Sequence, residues 1–431
     1  MDKRIVIVGA GVAGINAATK LVDNGYPGHL ITIIDKGNDP FNRKPEEVMT
    51  GMLGCGGWSD GKLTYHTAIG GVLSKYCGKD KAMELMDQVI SNFRRFHPKP
   101  EEIFCSNPVE EPEFIKPYFG LRLFPVWHIG SNYLHEIAKA WYQYLVDKGV
   151  KFEWEIEVED IDFKNNRVYT HNTDVQYDEL IFAVGKSGID FGKQLADDYK
   201  LPTEPKSVQI GVRFEAPQKY FQKLIDISYD FKLYQKFDNV SLRSFCTNNN
   251  AAYVAVEETY GDITYNGHAK KGEEFRNDMT NFGILMEIKG IENPFEWSRN
   301  VVSKLQENGT GLYYSPGNTR KPGLTSEGNT VSAIQIGWLD LIKVTEVMNP
   351  YFEYIVNFID QMNKVFEFGD DFGIYIPEVK YLSPEPLVNY NDLSLTNYNN
   401  VHFVGDALSA RGITVSGAHG IYVAESILKE N

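Results

Sequence analysis

The sequence predicts an α/β fold built on a parallel sheet, with a second domain inserted before its last segment. Three observations predict it: a strand–glycine turn–helix at the start, a returning strand in the middle, and a strand–Gly-Asp–helix at the end. The first is Arg4-Ile5-Val6-Ile7-Val8, an apolar run that leads into Gly9-Ala10-Gly11-Val12-Ala13-Gly14 and then a stretch of helical composition, Ile15–Leu21. A G-x-G-x-x-G at a strand-to-helix turn is the physical signature of a dinucleotide site. Gly9 makes the tight turn, Gly11 lets the backbone approach a pyrophosphate, and Gly14 lets helix and strand pack closely. Val12 and Ala13 open the helix, whose free N–H groups and positive end attract phosphate.

The next strand, Leu30–Ile34, ends at Asp35, 35 − 14 = 21 residues past the last glycine, with Lys36 after it. An acid there is placed to hold a ribose hydroxyl and would repel a 2′-phosphate. The site is therefore expected to hold FAD or NAD, not NADP.

The far end decides between these two. Val401-His402-Phe403-Val404 runs into Gly405-Asp406, and Gly412-Ile413 opens a small-residue helix through Ser416–Glu425. NAD-dependent dehydrogenases need no such element. It resembles the strand–Gly–Asp of flavoproteins of the glutathione-reductase type. That resemblance implies that Asp406 takes a ribityl hydroxyl and that the helix N-terminus faces the flavin pyrimidine, stabilising charge on the reduced ring. In the middle, Asp178–Gly185 resembles the strand motif ending in Ala-Thr-Gly of these folds, with Val184 in place of Thr and Gly185 at its end. Together the three pieces imply a Rossmann-like, three-layer ββα FAD-binding domain with an inserted α+β substrate domain.

A narrower resemblance follows from other segments. Gly54-Cys55-Gly56-Gly57-Trp58-Ser59-Asp60-Gly61-Lys62-Leu63 looks like the Ser-Asp-Gly-Lys-Leu loop of a bacterial family of uncharacterised FAD-dependent (NAD(FAD)-utilising) dehydrogenases. Ile210–Glu215 with Pro217-Gln218, Ser244-Phe245-Cys246, Thr264–Gly267 and Arg411-Gly412 are similar to further motifs of that family. The chain departs from it at Cys55, where the family often has Glu, and at Cys246-Thr247-Asn248-Asn249, where it has Cys-Pro-Gly-Gly.

The chain has 431 residues, 42% of them hydrophobic, too long for one typical domain. Domain bounds are expected at 1–204 plus 371–431 for the FAD domain, with a helical excursion near 71–130, and at 205–370 for the substrate domain. Within these, the pattern predicts a helix over 78–97 and prolines at 98, 100, 108, 112 and 117 that break it. It also predicts a helix over Tyr133–Lys148 ended by Gly149, one alternating strand over Phe152–Val158 that pairs with Val168–Thr170, strands at Ser207–Phe214 and Ala251–Glu257, and a helix over Pro350–Phe366. The formal net charge of −15 argues against a nucleic-acid partner. No apolar run approaches 18 residues, so no membrane partner and a cytoplasmic location are expected. The four cysteines are too far apart for a C-x-x-C or a zinc cluster, and no metal is expected. The oligomeric state is not legible.

The candidate catalytic residues are Lys62, His66 and Arg213. Lys62 lies in the loop that crosses the ring in similar flavoproteins, where a cation would stabilise reduced flavin; its alternative is a surface turn. His66 is a candidate proton donor, and Arg213 a grip for an anionic substrate, or else an internal ion pair. Gly57, Ser59 and Asp60 are candidates to touch the cofactor, although Ser-Asp-Gly is also an ordinary turn tripeptide. Cys55 and Cys246 are open as catalytic thiols or as merely small residues. No second G-x-G-x-x-G marks a nicotinamide domain, so NAD(P)H would bind transiently, or a partner protein would deliver electrons. The expected function is an FAD-dependent oxidoreductase, a dehydrogenase or reductase acting on a small organic substrate. Its alternatives are an FAD monooxygenase and a flavoprotein of RNA modification or assembly.

Overall fold

In a computed structural model the chain divides into two compact units: residues 1–105, 125–204 and 383–431, and residues 106–124 and 205–382. The structure describes residues 3–44, 47–107, 112–172, 174–204, 206–259, 261–269, 273–306, 309–325, 328–381 and 384–430. Pro108 of the proline-rich stretch lies outside them.

The first unit is built on a six-stranded sheet. Its order is Ser394–Leu395, Tyr398–Phe403, Glu179–Phe182, Ile5–Val8, Ile31–Ile34, Lys151–Glu153. The last five strands are mutually parallel, and the Ser394–Leu395 edge is antiparallel. Ile5–Val8 is central and buried at every position, as a strand covered on both faces must be. The closing helix Ile413–Glu430 lies on the first helix, Val12–Asp23, and on the helix Lys79–Phe96. That last helix buries Ala82, Leu85, Met86, Val89, Ile90 and Phe93, a single stripe at helical spacing. The helix Leu134–Asp147 stops at Gly149, whose φ of +89° is the left-handed turn that glycine accommodates. A three-stranded antiparallel sheet, Val158–Asp162, Arg167–Thr170 and Asp174–Gln176, adds Ile161 and Val168 to the same core.

The alternating segment 152–158 is not one strand. Lys151–Glu153 joins the parallel sheet, and Val158–Asp162 begins the antiparallel one and pairs with Arg167–Thr170. Glu155, at φ +57°, turns the chain between them.

The second unit is an eight-stranded sheet with Val208–Pro217 and Met279–Ile288 near its centre. Val208, Ile210, Val212, Phe214 and Ala216 point to one face and pack with the helices Pro294–Leu305, Trp338–Val347 and Phe352–Phe366. The opposite face carries Arg213, Glu215 and Asn281 and is covered by the hairpin Ala252–Thr259 and Asp262–Ala269. Two bounds differ from the expected ones. Gly373–Lys380 pairs with Val208–Pro217 and so belongs to the second unit, moving its end from 370 to 382. Gly120–Leu123 pairs with Phe231–Lys236 at the edge of the same sheet, which draws 106–124 out of the expected first domain.

Candidate functional site

The first unit gathers the three sequence-distant glycine segments at one end of its sheet. The glycine turn starts where Gly9 leaves the first strand at φ +108°. A Cβ at Gly9 would collide with the Ala183 carbonyl, and one at Gly14 with the Gly9 carbonyl and, at 2.9 Å, with Ile7. These two glycines are structural. Gly11 is different: its backbone is extended (φ −66°, ψ 177°), and an added Cβ would meet only the Ala183 oxygen, at 3.8 Å. The space over Gly11 is open.

Asp35 follows the second strand, and its carboxylate ties three turns together. Oδ2 accepts from Ala10 N–H at 2.7 Å, and Oδ1 accepts from Gly37 N–H at 2.7 Å and Gly51 N–H at 2.8 Å. A carboxylate has about four acceptor positions, so the position left over is on Oδ2. Lys36 turns outward to Glu157 at 3.5 Å and to the Ser187 carbonyl.

The segment after Leu53 lies directly on the glycine turn. Leu53 N–H donates to the Ala10 carbonyl at 2.8 Å. A Cβ on Gly54 would sit 3.3 Å from the Gly11 Cα, one on Gly56 3.0 Å from Ile413, and one on Gly57 2.7 Å from Leu53 and 3.1 Å from Val12. The segment is thus pressed between the glycine turn, the first helix and the closing helix. Arg43, which sequence reasoning missed, holds it there. Its buried guanidinium donates to the carbonyls of Glu47, Val48, Met52 and Gly54. Burial pulls Arg43 down to about 10, with Asp35 and Cys55 opposing that shift. An isolated arginine in a polar stretch carries no sequence signal for such a role.

Two candidates in this loop have partners within it. The Ser59 hydroxyl donates to the Cys55 carbonyl at 3.0 Å, and Asp60 pairs with Lys62 at 3.7 Å. Lys62 is no surface turn residue: it starts the strand Lys62–Thr64, is 8% exposed, and its strand lies against the closing helix. His66 accepts Ala68 N–H on Nδ1 at 3.0 Å, which leaves Nε2 to carry the proton of the neutral ring. Its turn leads into Gly70, whose carbonyl takes Arg411 N–H at 2.5 Å.

The end of the chain completes the arrangement. Gly405, at the end of the strand Tyr398–Phe403, abuts Ala13, and Asp406 pairs with Arg411 Nε at 3.4 Å. Gly185 closes the neighbouring strand Glu179–Phe182. The closing helix begins after Gly412 and has no acid in its first turn. There Thr414 is 1% exposed, and its hydroxyl has no partner among the described residues. A helix N-terminus without an acid in its first turn suits an electron-rich ligand. His419, further along, is completely buried, its ring nitrogens have no partner among the described residues, and burial pushes it down to about 3.

Arg213 is corrected. It belongs to the second unit and is 0% exposed. Its guanidinium donates to Asn281 Oδ1 at 2.6 Å (Nη2) and 3.1 Å (Nε), to the Cys246 carbonyl at 2.8 Å, and to Glu378 at 3.5 Å. Gly267 lies against it so closely that a Cβ there would overlap Nη2. The motifs around residues 211–213, 244–246 and 264–267 therefore meet in one buried network, and no nitrogen of Arg213 is exposed to grip a substrate. The internal ion pair, the other reading of this residue, is with Glu378. Burial raises Glu215 to about 7 against the pull of Arg320 and Arg213, and Glu378 to about 7 against the pull of Arg213.

No protein-family model matches the chain, and no curated protein matches it. Among solved structures it is similar to a flavoprotein/dehydrogenase from Cytophaga hutchinsonii, at 13% identity and a TM-score of 0.43 over 100% of this chain and 79% of that one. It is similar to the halogenase PltM in complex with phloroglucinol and FAD, at 12% and 0.43 over 100% and 70%. It is also similar to 2-methyl-3-hydroxypyridine-5-carboxylic acid oxygenase, at 11% and 0.39 over 100% and 84%. Likeness of this size leaves the assignment to the chain's own residues.

Proposed function

We propose that the chain is an FAD-dependent oxidoreductase that moves hydride between the flavin and a small organic substrate, with electrons from NAD(P)H or a partner protein. One observation carries this reading. The open Gly11 turn and the acid-free N-terminus of the closing helix are joined by a single segment, Gly54–Gly57, that touches both. A ligand with a pyrophosphate at one end and an electron-rich ring at the other suits such a pair.

When bound, FAD supplies the redox chemistry. The chain's residues would hold and tune it. Gly11, Val12 and Ala13 present backbone N–H groups to the pyrophosphate. Asp35 offers its remaining acceptor position to a ribose hydroxyl, and Asp406, oriented by Arg411, takes a ribityl hydroxyl. The closing-helix N–H groups would serve the pyrimidine end. Buried Lys62 offsets negative charge on the reduced ring, strongly so only where water is excluded.

The test is direct. The purified chain is expected to be yellow and to release FAD on heating or acid treatment. Anaerobic mixing with NADH, NADPH and candidate substrates is expected to bleach the flavin. Release of NAD alone, or no uptake of FAD on refolding, sinks the reading. An oxygen-dependent C4a-adduct spectrum would move it to the monooxygenase alternative.

A further inference from the structure

We propose that His128 acts with Lys62 as a pair of donors on one buried face, holding the negative charge of the reduced flavin ring. The inference rests on the FAD reading and adds a residue to which that reading gives no part.

Strand pairing places the two side chains together. Lys62–Thr64 runs antiparallel to Val126–His128, and Lys62 stands opposite His128. Hydrogen bonds beyond both ends pin this register. Ile129 N–H donates to the Gly61 carbonyl at 3.0 Å, and Tyr65 N–H to the Pro125 carbonyl at 2.9 Å. Opposite residues of an antiparallel pair point to the same face, with Cβ atoms about 4.5–5.5 Å apart. Lys62, Thr64, Val126 and His128 therefore share one face, and Leu63 and Trp127 the other. Leu63 and Trp127 pack into the core of the first unit. The face with the lysine and the histidine points away from that core, yet Lys62, Val126 and His128 are all buried. Taking a cation and an imidazole out of water costs free energy that an electron-rich ligand offsets.

The hydrogen bonds fix what each group offers. His128 Nδ1 accepts Gly130 N–H at 3.2 Å, so the ring proton is on Nε2. An imidazolium would set one N–H against another at Nδ1. His128 is thus a neutral donor through Nε2, and Lys62 brings the charge. The Lys62 Nζ lies 3.7 Å from Asp60, beyond hydrogen-bond length, and that carboxylate is 44% exposed, so water screens it. The strand of Lys62 lies against the closing helix, whose first turn has no acid. In the FAD reading, the lysine charge and the imidazole N–H add to the helix end that serves the pyrimidine, where charge gathers on reduction.

The experiment compares two substitutions in the full chain loaded with FAD, with no substrate present. His128→Asn keeps an acceptor for Gly130 N–H near the Nδ1 position and loses the Nε2 donor. His128→Gln reaches the Nε2 position with an N–H and loses the Nδ1 acceptor. The midpoint potential of bound FAD is measured by anaerobic dithionite titration against a reference dye. His128→Asn is expected to weaken reduced FAD relative to oxidised FAD about tenfold, a fall of about 30 mV for two electrons. His128→Gln is expected to keep the potential. A histidine that only supports the Gly130 turn would give the reverse pattern. An unchanged potential in His128→Asn, where absorbance shows FAD bound, overturns the proposal and leaves the FAD reading intact. So does an equal fall in both variants. Nitrogen-15 NMR of the FAD-loaded parent chain needs no substitution: His128 is expected to carry its proton on Nε2 alone at neutral pH, and an imidazolium overturns the proposal. A chain that takes up no FAD overturns both.

Discussion

Gly11→Val separates binding from folding more cleanly than any other change in the glycine turn. The fold has little stake in Gly11. Its φ and ψ are open to any residue, and a new Cβ meets nothing nearer than 3.8 Å. The losses are a weaker helix N-cap, roughly 0.5–1 kcal/mol, set against a less flexible unfolded chain, worth roughly 0.4–1 kcal/mol. The two nearly cancel. Binding has a large stake. A branched side chain over the turn keeps the pyrophosphate from the backbone. Losing two charge-assisted hydrogen bonds at roughly 1.5–3 kcal/mol each is a loss on the order of 10²–10⁴ in affinity. Gly14→Ala is the control of opposite sense. Its Cβ overlaps the Gly9 carbonyl and crowds Ile7, which costs the cofactor-free fold about 1–3 kcal/mol. Urea denaturation of the cofactor-free chains and FAD titration by flavin fluorescence would measure the two quantities. Unchanged FAD affinity in Gly11→Val refutes the assignment of the turn. So does a Gly11→Val chain as destabilised as Gly14→Ala.

Four other outcomes are expected. Asp406→Ala should weaken FAD binding by roughly 1.5–3 kcal/mol, one charge-assisted bond; an unchanged flavin-to-protein ratio and dissociation constant would count against the ribityl contact. Lys62→Met should slow anaerobic flavin reduction more than it weakens FAD binding, and equal rates and potentials would return Lys62 to a packing role. His419 has its proton affinity depressed by burial, so the unfolded chain binds the proton it lacks between about pH 3 and 6.5. Its contribution is whole above 6.5 and falls by up to roughly 1.4 kcal/mol per pH unit below that; His419→Leu should flatten the acid limb of a stability–pH curve, and an unaltered limb would contradict its burial. Glu378 has the opposite sign. Raised to about 7, it keeps its proton in the folded chain below that pH, so stability present below pH 4.5 is lost as pH rises through 7; Glu378→Gln should shrink that loss, and an unchanged slope between pH 4.5 and 7 would refute it.

Local patterns determined a good deal by themselves. The turn at Gly9–Gly14 is legible because only glycine tolerates the left-handed backbone at residue 9 and the strand–helix contact at residue 14. The helix Lys79–Phe96 and the stop at Gly149 follow from spacing and from one residue's conformational freedom. These features depend on neighbours in the chain, so sequence carries them. The alternating run 152–158 shows the limit. Its period was right for a strand, but two different sheets claimed its ends, and strand partners are not local.

Partnership in space is what only the tertiary structure decided. Gly373–Lys380 reads as a return to the first domain until its hydrogen bonds to Val208–Pro217 assign it to the second unit. Arg213 has the look of a substrate grip in sequence, since a guanidinium on a strand can face either way. Residues 246, 267, 281 and 378, far off in the chain, enclose it completely. Arg43 and Thr414 carry no motif at all. The first matters because four carbonyls happen to surround it, the second because its hydroxyl is buried with none among the described residues. Burial and desolvation depend on every element that folds around a group. The sequence therefore marks which residues have chemistry to offer, and packing decides which of them remain accessible to use it.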